Sequence, residues 1–117
     1  MKKLLIILLC LPIIGFGQQT YVPDDNFENY LEANGMGNGI ANDDYVTTTN
    51  IDTVPFLNVS GQSISDLTGI EDFISIAYLQ CNDNQLTILD LSNNTYLEYL
   101  VAYSNNLPDI DLSNNHN

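Results

Sequence analysis

The chain has 117 residues, 44% apolar and 15% charged, with 15 acids against 2 bases and a formal net charge of -13. That length suits one small domain and leaves no room for a large multidomain enzyme. Both bases are Lys2 and Lys3, so from residue 4 onward nothing can neutralise a phosphate backbone or an anionic bilayer; nucleic acid and anionic membrane surfaces are excluded as partners.

Met1-Lys2-Lys3 is a short basic region, Leu4 to Ile14 is an apolar run broken by Pro12, and Gly15 and Gly17 are the small residues that signal peptidase reads. The expectation is a signal peptide over residues 1–17, cleaved after Gly17, giving a secreted or cell-surface product with no membrane insertion after cleavage. The apolar run is shorter than the roughly 20 residues of a spanning helix. Leu9 is too bulky to precede a lipidated Cys10, and apolar residues continue to Phe16. A product starting at Gln18 keeps only Cys81, so no intrachain disulfide can form.

Next, Pro23-Asp24-Asp25 opens a helix, with Asp25 and Glu28 at capping-box spacing and Phe27, Tyr30 and Leu31 on one apolar stripe. Asn34-Gly35 ends it, because these residues accept positive φ. Gly35 to Gly39 reads as flexible, and Tyr45 to Thr49 followed by Ile51 reads as an extended edge strand leading into the next segment.

From Ile76 onward the chain matches itself on a shift of 21 residues: Ile76 to Leu86 lies over Leu97 to Leu107, and Leu89 to Asn94 lies over Ile110 to Asn115. A looser unit precedes these, with Val54, Leu57, Val59, Ile64, Leu67, Ile70 and Phe73 at apolar places and Gln62 where the others carry Asn84 and Asn105. Its length is 22 residues, from Val54 to Ile76. The spacing L-x-x-L-x-L-x-x-N-x-L resembles the leucine-rich repeat family, and the 22-residue unit looks like its internalin-type bacterial subclass. The Leu-Asp-Leu-Ser-Asn-Asn phrase behind a secretion signal is similar to surface proteins of Bacteroidetes-type bacteria. The resemblance covers residues 54–117 as three repeats of about 22, 21 and 21 residues. It implies an α/β-type solenoid: a right-handed coil of short repeats, a parallel β-sheet on the concave face, and a helical N-terminal cap over residues 18–53. No C-terminal cap follows, so the expectation is a fragment of a longer adhesin-like protein.

Alternation at period 2 in Val54 to Ser60, Ile76 to Asn82 and Leu97 to Tyr103 directs Leu57, Val59, Leu79, Cys81, Leu100 and Ala102 inward. The chain returns through Leu86, Leu89 and Leu91, or Leu107, Ile110 and Leu112, which close the core from behind. Asn84 and Asn105 are expected to point inward and hydrogen-bond backbone of their own and the adjacent coil. Cys81 reads as an inert small hydrophobe. Outward residues form three columns: Phe56, Tyr78 and Tyr99; Asn58, Gln80 and Val101; Ser60, Asn82 and Tyr103. Aromatic rings beside amides suit a protein or carbohydrate ligand, and of these residues Phe56, Asn58, Tyr78, Gln80, Asn82, Tyr99, Val101 and Tyr103 form the binding surface. Two functions stand: recognition through this face, or a structural stalk in which the aromatic ladder only braces neighbouring repeats.

Asp90 and Asp111 recur one unit apart on the return side, where their like charges are either solvated or bridged by calcium. Asn42-Asp43-Asp44 is a second calcium candidate; neither has EF-hand spacing, and no metal ligand set or cofactor is assigned. A rise in melting temperature with calcium beyond that of equal ionic strength separates the two cases. Catalysis lacks its parts: His116 is the sole histidine, Cys81 has no general base, and acid pairs are too abundant here to mark a glycosidase site without a pocket.

Overall fold

A computed structural model describes residues 17–115. The expected signal peptide, apart from Gly17, and His116 lie outside the described residues. Strand β1 (Gln19–Tyr21) pairs antiparallel with β2 (Tyr45–Thr47), setting Thr20 opposite Val46. Helix α1 (Asp25–Ala33) lies between them in sequence. The edge strand expected over Tyr45 to Thr49 is therefore shorter, ending where Thr48–Asn50 turns as a 3-10 helix. Its partner is β1, which has too few residues to carry a periodic signal.

The N-cap of α1 is Asp24, not Asp25: its Oδ1 accepts the N–H groups of Asn26 and Phe27, each at 3.0 Å. Tertiary structure makes that choice, because Oδ2 of the same carboxylate accepts from Ser65 and Asp66 at 2.9 and 3.1 Å, tying the helix start to the first repeat. The expected capping box is replaced by a different use of Glu28, which is fully buried. Its two oxygens accept the N–H groups of Asp43 and Asp44 at 3.1 and 3.2 Å. Phe27 and Leu31 are buried, and the Phe27 ring stacks on Phe73 at 6.3 Å between centroids.

The glycine-rich segment read as flexible is instead anchored. The Glu32 carboxylate accepts from Asn38 N–H at 2.8 Å and Gly39 N–H at 3.1 Å, and Asn38 Nδ2 donates to Asp43 at 2.8 Å. A Cβ at Gly37 would lie 2.0 Å from the Glu32 carboxyl carbon, so a side chain there would have to displace that carboxylate from its present bonds. Acidic side chains supply these anchors from a different element, which composition alone does not reveal.

Strands β3 (Phe56–Asn58), β4 (Tyr78–Gln80) and β5 (Tyr99–Val101) form one parallel sheet, with Leu57, Leu79 and Leu100 in register. Each is shorter than the alternating segment around it. Cross-strand bonds continue one residue further, from Val59 N–H to Gln80 O and from Cys81 N–H to Val101 O, both 2.8 Å. Then Gly61, Asp83 and Ser104, at φ of 65°, 58° and 54°, turn the backbone away in the left-handed region. Leu57, Val59, Leu79 and Cys81 point inward and are buried, and Ile64, Leu67, Leu86, Leu89 and Leu91 close the core behind them. This core is continuous with Val22, Phe27, Leu31, Val46 and Ile51. The two parts approach closely at Gly69, where a Cβ would meet Val22 Cγ2 at 2.8 Å. At the other end Leu100, Leu107 and Ile110 are only half-buried and Leu112 is 45% exposed.

Asn84 stitches two repeats together. Its Oδ1 accepts from Gln62 N–H and Ile64 N–H at 3.1 and 3.0 Å, and its Nδ2 donates to Val59 O and Cys81 O at 2.9 and 3.0 Å. Asn105 does the same one repeat on, accepting from Leu86 N–H and donating to Cys81 O and Ala102 O, each at 3.0 Å. Gln62 is exposed and reaches only Ser60 O, at 3.3 Å.

Candidate functional site

Parallel register places Phe56, Tyr78 and Tyr99 side by side, and Asn58, Gln80 and Val101 likewise. The first column is a ladder of rings, with centroids 5.0 Å apart from Phe56 to Tyr78 and 5.7 Å from Tyr78 to Tyr99. Phe56 is 54% exposed, Tyr99 62% and Tyr103 64%, while the middle ring of Tyr78, flanked on both sides, is half-buried. In the second column Asn58 Oδ1 accepts from the backbone and hydroxyl of Ser60, at 3.0 and 2.7 Å. Its free hydrogen-bonding capacity is thereby reduced.

Asn82 is a correction. Expected to face solvent, it is 5% exposed. Its Nδ2 donates to Oδ2 of exposed Asp83, so the polar atom available at that place belongs to Asp83. A second asparagine column was also missed. Asn94 is fully buried, donating to Ile70 O and Phe73 O at 2.8 and 3.1 Å, and Asn115 donates to Leu91 O at 3.0 Å. The sequence signal was present, because these residues recur at the same 21-residue shift as Asn84 and Asn105.

The return side is grooved between successive repeats, which alternation did not predict. One cavity of about 510 Å³ includes Asp66, Glu71 and Asp90, and a neighbour of about 530 Å³ includes Asp90, Asp109 and Asp111. Asp90 is held below the usual carboxylate range by the hydroxyl and N–H of Ser92, and Asp111 by the N–H and hydroxyl of Ser113. Elsewhere Asp25, Glu28 and Asp44 bring one carboxylate oxygen each to within 4.8 Å of one another. Of the Asn42-Asp43-Asp44 candidate, only Asp44 joins that group. Burial pushes the Glu28 carboxyl up; Asp43, despite some desolvation, is held low by Asn38 and the Tyr45 N–H. Burial also pushes the Cys81 thiol up to about 11, leaving it protonated at neutral pH. No helix among the described residues is long and apolar enough to cross a membrane.

No family model matches the chain. Over 75 residues, 64% of its length, it is 36% identical to Internalin J of Listeria monocytogenes, of which it spans 8%. The functional domain of InlJ from Listeria monocytogenes, which includes a cysteine ladder, superposes with TM-score 0.71 at 34% identity, covering 85% of this chain and 22% of that one. An internalin, InlF, of the same organism matches with TM-score 0.71 at 29% identity, covering 81% of this chain and 28% of that one. A further internalin, InlC2, agrees in fold, with TM-score 0.66 at 22% identity over 85% of this chain and 46% of that one. Among the described residues this chain has a single cysteine, Cys81.

Proposed function

The chain is an internalin-like leucine-rich repeat protein, and from that premise we propose that it is a secreted or cell-surface recognition module that binds a protein or glycan through its strand face. The observation that carries this is the exposure of Phe56 and Tyr99 on one sheet and of Tyr103 just beyond the end of β5, each residue more than half open to solvent. Large aromatic faces left in water forgo burial worth about 1.5–3 kcal/mol each, and their gathering on one face is the pattern of interface anchors. Tyr78, Asn58, Gln80 and Val101 complete the surface, and Asp83 takes the place first given to Asn82.

The strand face is the concave side of a short right-handed solenoid, and residues 18–53 act as its N-terminal cap over three repeats. Support for the cap lies in the Asp24 bonds to Ser65 and Asp66, the bond from Thr20 Oγ1 to Asp72 at 2.7 Å, and the Phe27–Phe73 stack. The module works by binding and not by catalysis: Cys81 is buried and protonated. The stalk reading draws on the same ring contacts, which would brace the repeats with no ligand. A glycan and peptide array separates the two. Ligand capture that disappears in the Tyr78→Ser/Tyr99→Ser variant, with its melting transition retained, supports recognition. Capture unchanged in that variant refutes recognition through the aromatic column, and no capture at all favours the stalk.

A further inference from the structure

Resting on that recognition reading, we infer that the partner of the strand face is a cationic, extended protein segment whose Lys or Arg side chains lie over the aromatic column. Phe56, Tyr78 and Tyr99 form an unbroken row, with steps of 5.0 and 5.7 Å and open outer rings. The negative face of an aromatic ring attracts an ammonium or guanidinium group within about 6 Å. An extended chain sets same-side residues about 6.6 Å apart, so two basic side chains two residues apart both land on the row.

Carboxylates frame the row at both strand ends. Glu98 is exposed immediately before Tyr99. At the far end Asp83 is exposed and accepts from Asn82 Nδ2, and its backbone N–H donates to Tyr103 O at 3.0 Å, which sets this acidic residue on the turn after β4, beside the main chain at Tyr103. Nothing offsets these charges, since no Lys or Arg occurs among residues 17–115. The field over the face is therefore of one sign; it steers cations in and repels anions. A neutral glycan would gain ring stacking but nothing from this field, and so the charge selects a basic segment.

The test is calorimetric titration of the full chain with an alternating Arg-Gly octapeptide, a Glu-Gly octapeptide and cellohexaose. The expected result is binding of the Arg-Gly peptide alone, weakened roughly tenfold between about 0.05 and 0.5 M NaCl. The Tyr78→Ser/Tyr99→Ser variant loses roughly tenfold in affinity, and Tyr78→Phe/Tyr99→Phe, which keeps the ring faces, stays within about twofold. Glu98→Gln/Asp83→Asn weakens binding several-fold, whereas the remote pair Asp25→Asn/Asp109→Asn, equal in charge removed, has little effect. Equal loss from both acid pairs would mean attraction to net charge alone and overturns the proposal, as does failure of the Arg-Gly peptide to bind. If cellohexaose binds instead, and binding depends on Tyr78 and Tyr99, the cationic partner is wrong while strand-face recognition stands.

Discussion

Replacing Asn84 by Leu tests the internal architecture most directly. The side chain is 8% exposed, and its amide bonds two N–H groups and two carbonyls of the backbone, all within 3.1 Å. Leucine strands the N–H groups of Gln62 and Ile64 inside the turn, at about 1–3 kcal/mol each. The carbonyls lose less, because Cys81 O keeps its bond from Asn105 Nδ2. Added apolar burial offsets about 1–2 kcal/mol, so the central net loss is about 2–3 kcal/mol, a large share of the roughly 5–15 kcal/mol that holds a domain of this size folded. Asn105 is half-buried and its Oδ1 serves one N–H, that of Leu86; Asn105→Leu therefore costs about 1–2 kcal/mol. Exposed Gln62→Leu stays within about 0.5 kcal/mol. Urea unfolding followed by far-ultraviolet circular dichroism gives all three by linear extrapolation. An Asn84→Leu variant as stable as the parent, or a larger loss at Asn105 than at Asn84, refutes the account of the ladder.

Asn94→Leu should cost about 1–2 kcal/mol by the same assay, less than Asn84→Leu, since its amide serves only the Ile70 and Phe73 carbonyls and strands no N–H. Gly69→Ala should lower the melting temperature by several degrees, because φ is 108° and the added Cβ runs into Val22; an unchanged melting temperature would mean that the β1 contact is slack. For pH, Glu28 has a folded pKa above its ordinary 4.5, so its contribution is complete below that value and is lost as pH rises through the raised folded value. Asp43, Asp90 and Asp111 act oppositely, contributing above 3.8 and losing that contribution as pH falls below it. Scanning calorimetry should show melting temperature falling as pH rises from 4.5, with Glu28→Gln flattening that limb. Cys81 should resist alkylation at pH 8 in the native protein and react at once in concentrated urea; rapid native labelling would contradict its burial.

The chain pattern was sufficient wherever a residue's position follows from its own repeat. Alternation at period 2 decides which side Leu57, Leu79 and Leu100 take, and a slip of one residue would turn every one of them into water. The equal shift between repeats then decides which outward residues become neighbours, so the column of Phe56, Tyr78 and Tyr99 was legible before any coordinate. Asn84 and Asn105 were legible for the same reason.

Tertiary structure decided the polar groups whose partners come from elsewhere. Glu28 reads locally as a helix-start acid in water; it is buried because the N–H groups of Asp43 and Asp44 arrive to meet it. Asp24, not Asp25, caps α1 because Ser65 and Asp66 need its other oxygen. Asn82 sits in an outward column yet is covered, and β1 pairs with β2 across the whole of α1. Apolar burial is nearly additive along a periodic chain, so order alone conveys it. Burial of a charge or an amide is favourable only when specific distant groups converge on it, and that convergence exists only once the chain has folded.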